Sequence, residues 1–522
     1  GCSWLVVVAA VAASLSGLML GYELGLTSGV LLQLREVLSL SCSQQELLVS
    51  SQLVGALIAC LAGGPVLDHY GRRCSLILSA AMVVGGSVVL VAVTSLIALV
   101  LGRVIVGMGI ALSGTAACLY IAEISPMERR GLLVTLYELM VVLGVMMGFS
   151  CSFAFATVSH GWAYTFGLAI PLALLQMSAL LFLPPSPRFL VTKNKVEEAR
   201  RVLVRIQCGA DEHVDTELWN IQAGLKEESG HSFMELFSAN LRSRMLTGVA
   251  LFFFLQVTGQ PNILSYASPL LKSVGFNSVA AATLASTGLG VVKVVFTIPA
   301  VLLVDRVGPK KFLCVGAVVM GLTLITLGLT LQSHTQLTSL CRSTAAPNHT
   351  DSAWNINHTR WDANSSLSGQ WGRGTTAWAG ASGRSAATKM QTNVSSSLKV
   401  ASLISLLVYV AAFSVSLGPM VYVVISEIFP MGVRGRAASV VAAVNWAVNL
   451  LISMSFLTIT EKIGVPNVMF FHSAMCFALL VFVILCVPET KGLTLEEISK
   501  ELAKNNYLSD ALCFKNDHSR LL

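Results

Sequence analysis

Glu123-Ile124-Ser125-Pro126-Met127-Glu128-Arg129-Arg130-Gly131 and Glu427-Ile428-Phe429-Pro430-Met431-Gly432-Val433-Arg434-Gly435-Arg436 are two copies of one phrase, set in opposite halves of a 522-residue chain. Each puts a carboxylate at the end of a long apolar run, then a proline, then basic residues within a turn or two. A second phrase also occurs twice. Gly64-Pro65-Val66-Leu67-Asp68-His69-Tyr70-Gly71-Arg72-Arg73 precedes the first copy, and Asp305-Arg306-Val307-Gly308-Pro309-Lys310-Lys311 precedes the second. Two phrases repeated in the same order mark an internal repeat, which decides the architecture before any single element is considered.

Around these phrases the chain is apolar. Hydrophobic residues make up 54% and charged residues 12%, and the mean hydropathy is +0.74. Soluble domains carry about twice that charge, so a soluble enzyme, a disordered chain and a fibrous protein are excluded. A polytopic membrane protein is left. The net charge of +7 is too dispersed for a nucleic-acid footprint. The nine His and twelve Cys form neither CxxC nor HExxH spacing, so no metal or other cofactor is expected.

Twelve apolar runs are long enough to cross a bilayer as helices: 4–28, 46–67, 75–95, 97–121, 131–156, 162–183, 245–270, 279–304, 311–331, 399–426, 437–459 and 466–487. The first is too long for a signal peptide and lacks a basic leader. The chain opens on Gly1 rather than Met, so a further N-terminal segment is expected. The predicted fold class is an all-α membrane protein with two pseudo-symmetric six-helix bundles. Residues 1–183 form the first bundle and 184–244 a linker with short amphipathic helices. Residues 245–487 form the second bundle, and 488–522 a tail. In the linker, Val196, Ala199, Val202, Leu203 and Ile206 recur at helical spacing, with Glu197 four residues before Arg201.

Most of the 34 Lys and Arg fall in the loops at 68–74, 122–130, 184–244, 305–311, 427–436 and 488–522. The positive-inside rule makes that side cytoplasmic, with both termini inside. The loop at 332–398 then faces outward. It carries four N-x-[ST] sequons, at Asn348, Asn357, Asn364 and Asn393, which are candidate glycosylation sites. Cys42 and Cys341 also fall outside, where a disulfide between them is one arrangement and two free thiols the other.

The repeated phrases place Asp68, Arg72, Arg73, Glu123, Arg130, Asp305, Glu427 and Arg434 at the cytoplasmic helix ends. Acid and base on neighbouring helices pair only when those ends are close. The set is therefore a candidate cytoplasmic gate, or else charge that fixes the topology.

The phrases, together with Pro184-Pro185-Ser186-Pro187-Arg188, Gln256-Val257-Thr258-Gly259-Gln260 and Pro488-Glu489-Thr490-Lys491-Gly492, resemble the sugar porters of the major facilitator superfamily over almost the whole chain. Thr258-Gly259-Gln260-Pro261-Asn262 and the long sequon-bearing loop are similar to class III facilitative glucose transporters. The resemblance implies alternating access on a hexose, D-glucose foremost. It also implies a plasma-membrane or endomembrane-vesicle location, lipid and sugar as the partners, and a functional monomer.

A neutral hexose needs amides and hydroxyls that both donate and accept, plus an aromatic face. Asn445, Trp446 and Asn449 offer these in the eleventh run. Gln256, Thr258, Gln260 and Asn262 do so in the seventh, and Phe413, Ser414 and Tyr422 in the tenth around Gly418-Pro419. By resemblance, Gln256, Asn445, Trp446, Asn449 and Phe413 fall on sugar-contacting positions. The chain departs from the family at Leu255 and Glu138 where a Gln is usual, at Pro261 and Lys293 where an Asn is usual, and at Tyr422 where a Trp is usual.

Four ionisable residues lie well inside runs: Glu23, Arg103, Glu138 and Lys293. A lone charge at that depth costs roughly 2.5–3.5 kcal/mol on insertion scales, so each is expected to pair or to line water. Glu23 and Arg103 match the acid and base of proton-coupled sugar symporters. They are candidates for proton coupling, or for a permanent salt bridge. Glu138 and Lys293 are candidates for a pair beside the sugar, or for two separate side chains each solvated by the cavity. Nothing points to an enzyme. Besides a hexose carrier, the sequence leaves open a non-transporting sugar sensor of the same fold and a carrier of another polyol or of dehydroascorbate.

Overall fold

The computed structural model describes residues 4–126, 130–207, 211–229, 238–276, 278–332, 396–429 and 434–487. Among these every regular element is a helix. The first half contains α1 (Trp4–Leu38), α2 (Cys42–Tyr70), α3 (Arg72–Ala92), α4 (Leu96–Ile124) and α5 (Arg130–Ala154). Its sixth span is the pair α6 (Gly161–Gly167) and α7 (Ala169–Leu181). Ser41 starts α2 with a capping box to Gln44, and Ser95 caps α4. Three short helices follow: α8 (Pro187–Thr192), α9 (Val196–Gln207) and α10 (Asp211–Ser229). The predicted apolar face of α9 is real: Ala199, Val202, Leu203 and Ile206 are buried, and Ala199, Val202 and Ile206 share a core with Leu67, Tyr120 and Ile124 of the first half.

The second half contains α11 (Ala239–Val257), α12 (Gln260–Ser265), α13 (Ala267–Val274), α14 (Val279–Val307), α15 (Pro309–Gln332), α16 (Ser396–Val415), α17 (Leu417–Ile428), α18 (Arg434–Ile463) and α19 (Val465–Cys486). Among the described residues eleven stretches are long and apolar enough to cross a membrane. The expected seventh span is the exception, because it is three helices rather than one. Gly259 takes φ 92°, and Pro261 has no N–H to give the carbonyl of Val257, so the helical ladder fails there. The tenth span divides at Ser416, just before Gly418-Pro419.

The repeat seen in the motifs recurs in the packing. In the first half α1 packs on α5, α2 on α4, and α3 on α4 and α7. In the second half α11 packs on α18, α14 on α16, and α15 on α16 and α19. The halves meet along two seams, α5 with α14 and α2 with α18. Small residues allow the closest approaches: a Cβ on Gly21 would lie 1.8 Å from the Val141 carbonyl oxygen, and one on Gly144 would lie 2.1 Å from that of Leu18. Outward, large apolar side chains are bare, including Phe182 at 88% and Ile97 at 75% exposure. Bare apolar surface on this scale needs lipid to cover it.

At one end the halves are tied together. Lys272 Nζ lies 2.8 Å from Glu36 Oε1. Ser28 and Ser268 hydroxyls are 3.1 Å apart, and Ser268 is 2.8 Å from Ser286. Ser50 donates to Ser453 at 3.3 Å. Cys42, at the same end, is disulfide-bonded. Its partner lies outside the described residues, as does Cys341.

Candidate central binding site

The break in the seventh span builds the middle of the site. With Pro261 unable to serve the Val257 carbonyl, His472 on α19 donates to it from Nδ1 at 2.8 Å. Tyr409 on α16 donates to the next carbonyl, Thr258, at 2.8 Å. The irregular backbone is therefore satisfied by neighbouring helices, as the low-dielectric interior demands. This frame holds Gln256 at the end of α11, and Gln260 and Asn262 on α12.

Gln256 Nε2 donates to Asn445 Oδ1 on α18 at 2.6 Å, bringing together two of the predicted amides. Asn449, one turn further, is buried on the same helix face, and Trp446 is half-buried beside it. Three amide atoms near the break, Gln256 Oε1, Gln260 Nε2 and Asn262 Nδ2, are buried with no hydrogen-bond partner among the described residues. Phe413 is buried on α16, and the Lys293 ammonium sits 5.3 Å from its ring centroid. Tyr422 on α17 is half-exposed, with its ring edge-on to Phe252 at 5.3 Å.

Glu138 on α5 and Lys293 on α14 face each other across the seam, and each feels the other's charge. They do not close to an ion pair within 4 Å in this form. Lys293 instead spends its near side on the Phe413 ring.

Glu23 and Arg103 are both buried and adjacent, with Arg103 Nη1 3.9 Å from Glu23 Oε2. The guanidinium donates elsewhere, from Nη2 to Thr27 Oγ1 at 2.9 Å and to Gln52 Oε1 at 2.5 Å. Neither Glu23 oxygen has a hydrogen-bond partner among the described residues.

Of the predicted gate, the first-half members form a network within that half. Arg72 Nε lies 3.0 Å from Glu123 Oε1, and Arg72 Nη1 lies 3.7 Å from Asp68 Oδ1. Ser186 also donates to Glu123. Arg73 departs from the expected acid–base pairing. It donates to the Leu180 and Leu181 carbonyls at the end of α7, at 2.9 and 2.7 Å. The side chains of Arg130, Asp305, Glu427 and Arg434, and the sequons at Asn348, Asn357, Asn364 and Asn393, lie outside the described residues.

Sequence reading missed Gln52, Thr27, Glu46 and His472. Gln52 was a lone mid-run amide. Glu46 stands at the edge of its run. His472 had no motif around it, although Pro261 signalled that a carbonyl nearby would need a donor.

Two matched six-span halves around a buried amide cluster define a transporter of the major facilitator fold. The profile described as "Sugar (and other) transporter" matches residues 8–345 and 366–502, and the chain belongs to this family, within its facilitated glucose transporter branch. It is a carrier rather than an enzyme. It is 51% identical to solute carrier family 2, facilitated glucose transporter member 12 of Danio rerio, over 97% of this chain and 89% of that one. It is 47% identical to the Homo sapiens member 12, over 100% of this chain and 89% of that one. The partially occluded, inward-open xylose transporter XylE of E. coli superposes with a TM-score of 0.72 at 24% identity, covering 94% of this chain and 100% of that one. The proton:xylose symporter XylE bound to 6-bromo-6-deoxy-D-glucose superposes with a TM-score of 0.71 at 25% identity, covering 96% and 99%.

Proposed function

We propose that this protein carries D-glucose across the plasma membrane by alternating access, with proton movement linked through Glu23. The observation that carries the sugar assignment is the Gln256–Asn445 pair, together with three buried amide atoms, Gln256 Oε1, Gln260 Nε2 and Asn262 Nδ2, that have no hydrogen-bond partner among the described residues. Such a set both donates and accepts, which suits a ring of hydroxyls and no net charge. Phe413 and Trp446 supply apolar faces for the sugar's C–H surface, and Asn262, Asn449 and Tyr422 complete the lining. The likeness to the member 12 facilitated glucose transporters supports glucose as the hexose.

The basic loops support an orientation with both termini in the cytoplasm and residues 332–398 outside, where the sequons would be glycosylated. In that orientation the Glu36–Lys272 tie is external and joins the two halves on the outer side. On the cytoplasmic side, Arg72, Glu123 and Asp68 brace the first half against the linker. Arg130, Asp305, Glu427 and Arg434 are assigned to closing that side when the carrier faces out.

Burial and the nearby guanidinium act in opposite senses on a carboxyl's proton affinity, so any change in the Glu23–Arg103 separation during the cycle changes that affinity. The 3.9 Å separation, with the guanidinium engaged elsewhere, supports a pair that parts and rejoins. The test is counterflow of labelled D-glucose into liposomes holding the purified monomer, with and without a proton gradient. Counterflow accelerated by an inward gradient, with the acceleration lost in Glu23→Gln, is the expected result. Binding without counterflow would replace the carrier by a sensor.

A further inference from the structure

A buried guanidinium beside a carboxylate ordinarily pairs with it fork to fork, because two charge-assisted bonds are the strongest contact open to either group. Arg103 does not do this. Nη2 serves two neutral acceptors, the Gln52 amide oxygen at 2.5 Å and the Thr27 hydroxyl at 2.9 Å. The guanidinium carbon also lies 6.0 Å from the centroid of the Phe166 ring. Glu23 is left at 3.9 Å, with neither oxygen hydrogen-bonded among the described residues.

Gln52 is held in place by the backbone. A Cβ on Gly107 would lie 2.0 Å from the Gln52 carbonyl oxygen, and one on Gly55 would lie 2.0 Å from that of Val104. α2 and α4 therefore touch main chain to main chain at Val104 and Gly107, within the turn that follows Arg103, and no larger residue fits at Gly55 or Gly107. The amide is thus presented to Arg103 from a fixed distance, and Gln52 itself is 4% exposed. Thr27 is fixed in the same way, since its hydroxyl donates to the Glu23 carbonyl at 2.6 Å.

We infer that Gln52 is a positioning residue that competes with Glu23 for the Arg103 guanidinium and so sets how readily Glu23 takes up a proton. The inference rests on the proposed link between Glu23 and transport. The remaining groups near the pair do not confound it. Among the described residues the charged group beside Glu23 is Arg103, and Arg103 in turn neighbours Glu23 and Tyr266. Tyr22 on α1, Cys151 on α5 and Tyr266 before α13 are the other titratable side chains that face this region. Phenols and thiols are uncharged in the range where carboxyls titrate. Along α2 and α5, Glu46 and Glu138 act on Tyr266 and on Lys293 respectively, not on Glu23.

The test is the pH profile of D-glucose exchange in liposomes with equal pH on both faces. The full chain is compared with Glu23→Gln, Gln52→Met and Gln52→Asn. Methionine keeps the length of Gln52 without an amide, and asparagine keeps the amide but falls short of Arg103. The limb of the profile that disappears in Glu23→Gln identifies the Glu23 titration. In both Gln52 variants Arg103 returns to Glu23, so this limb moves about one pH unit toward acid, tenfold in proton concentration. A limb that stays in place while exchange falls evenly across pH overturns the inference and leaves the proton link standing. A wild-type profile with no Glu23-dependent limb removes the link and the inference together. A limb that moves, in a protein that shows no sugar-evoked proton current, supports the role of Gln52 and removes symport alone.

Discussion

The Glu46 carboxylate on α2 reaches across the seam and takes two bonds from a single residue of α18: the Thr458 N–H at 2.6 Å and the Thr458 hydroxyl at 2.7 Å. Glu46 is 4% exposed, so little water competes for it. Hydrogen bonds to a charged group contribute roughly 1.5–3 kcal/mol when buried. A double-mutant cycle of Glu46→Ala and Thr458→Val, read by thermal unfolding of the detergent-solubilised protein, is expected to return a coupling of about 1–2 kcal/mol. Additive losses would mean that the hydroxyl bond contributes nothing across the seam.

The amide pair in the site makes a different prediction, because its loss should be felt by the sugar rather than by the fold. Gln256→Ala and Asn445→Ala each remove one amide of a bonded pair. Each is expected to raise the KM for D-glucose about tenfold, the equivalent of one neutral hydrogen bond of about 1.4 kcal/mol. The double variant should cost less than the sum, since the two residues share one arrangement. Initial rates of uptake over a range of glucose concentrations decide this. An unchanged KM in both single variants would place the sugar elsewhere.

The two halves, their order and the linker helix were legible in the sequence because they rest on strong local signals. Apolar length gives the spans, and the Glu123 and Glu427 phrases give the repeat. The spacing of Val196, Ala199, Val202 and Ile206 gives α9. The break at Gly259 was written in Pro261 but was read as one continuous span, since hydropathy does not register a missing N–H. Contacts between distant segments were harder. Gln52 meets Arg103 only because Gly55 and Gly107 let α2 and α4 touch, and that approach depends on which faces the helices turn to each other. Arg73 was grouped with the acids by proximity in sequence, yet the carbonyls at the end of α7 are its nearer acceptors.

Glu138 and Lys293 stand apart by more than an ion-pair distance while each feels the other's charge. A pair of this kind is coupled through the intervening medium, so its net field matters more than its contact. Glu138→Gln and Lys293→Gln, which each leave one charge uncompensated, are expected to cut glucose uptake severalfold. The exchanged pair, Glu138→Lys with Lys293→Glu, restores neutrality and should recover a measurable part of the loss. No recovery in the exchanged variant would show that each side chain acts by itself, with Lys293 held to the Phe413 face.

Gly259 joins two requirements that can be separated by experiment. Its φ of 92° is a conformation in which any other L residue is strained, and a Cβ there would lie 2.8 Å from ring atoms of His472. Gly259→Ala therefore carries a backbone cost of about 1–2 kcal/mol together with a clash. His472→Ala removes the ring and so relieves the clash, but it also frees the Val257 carbonyl that Pro261 cannot serve. The double variant is accordingly expected to melt below the wild type but above the sum of the two single losses. Strict additivity would mean that the ring gives way easily and that the whole cost of Gly259→Ala lies in its backbone angle. Full recovery would mean the reverse, that the break between α11 and α12 tolerates a side chain whenever α19 leaves room for it.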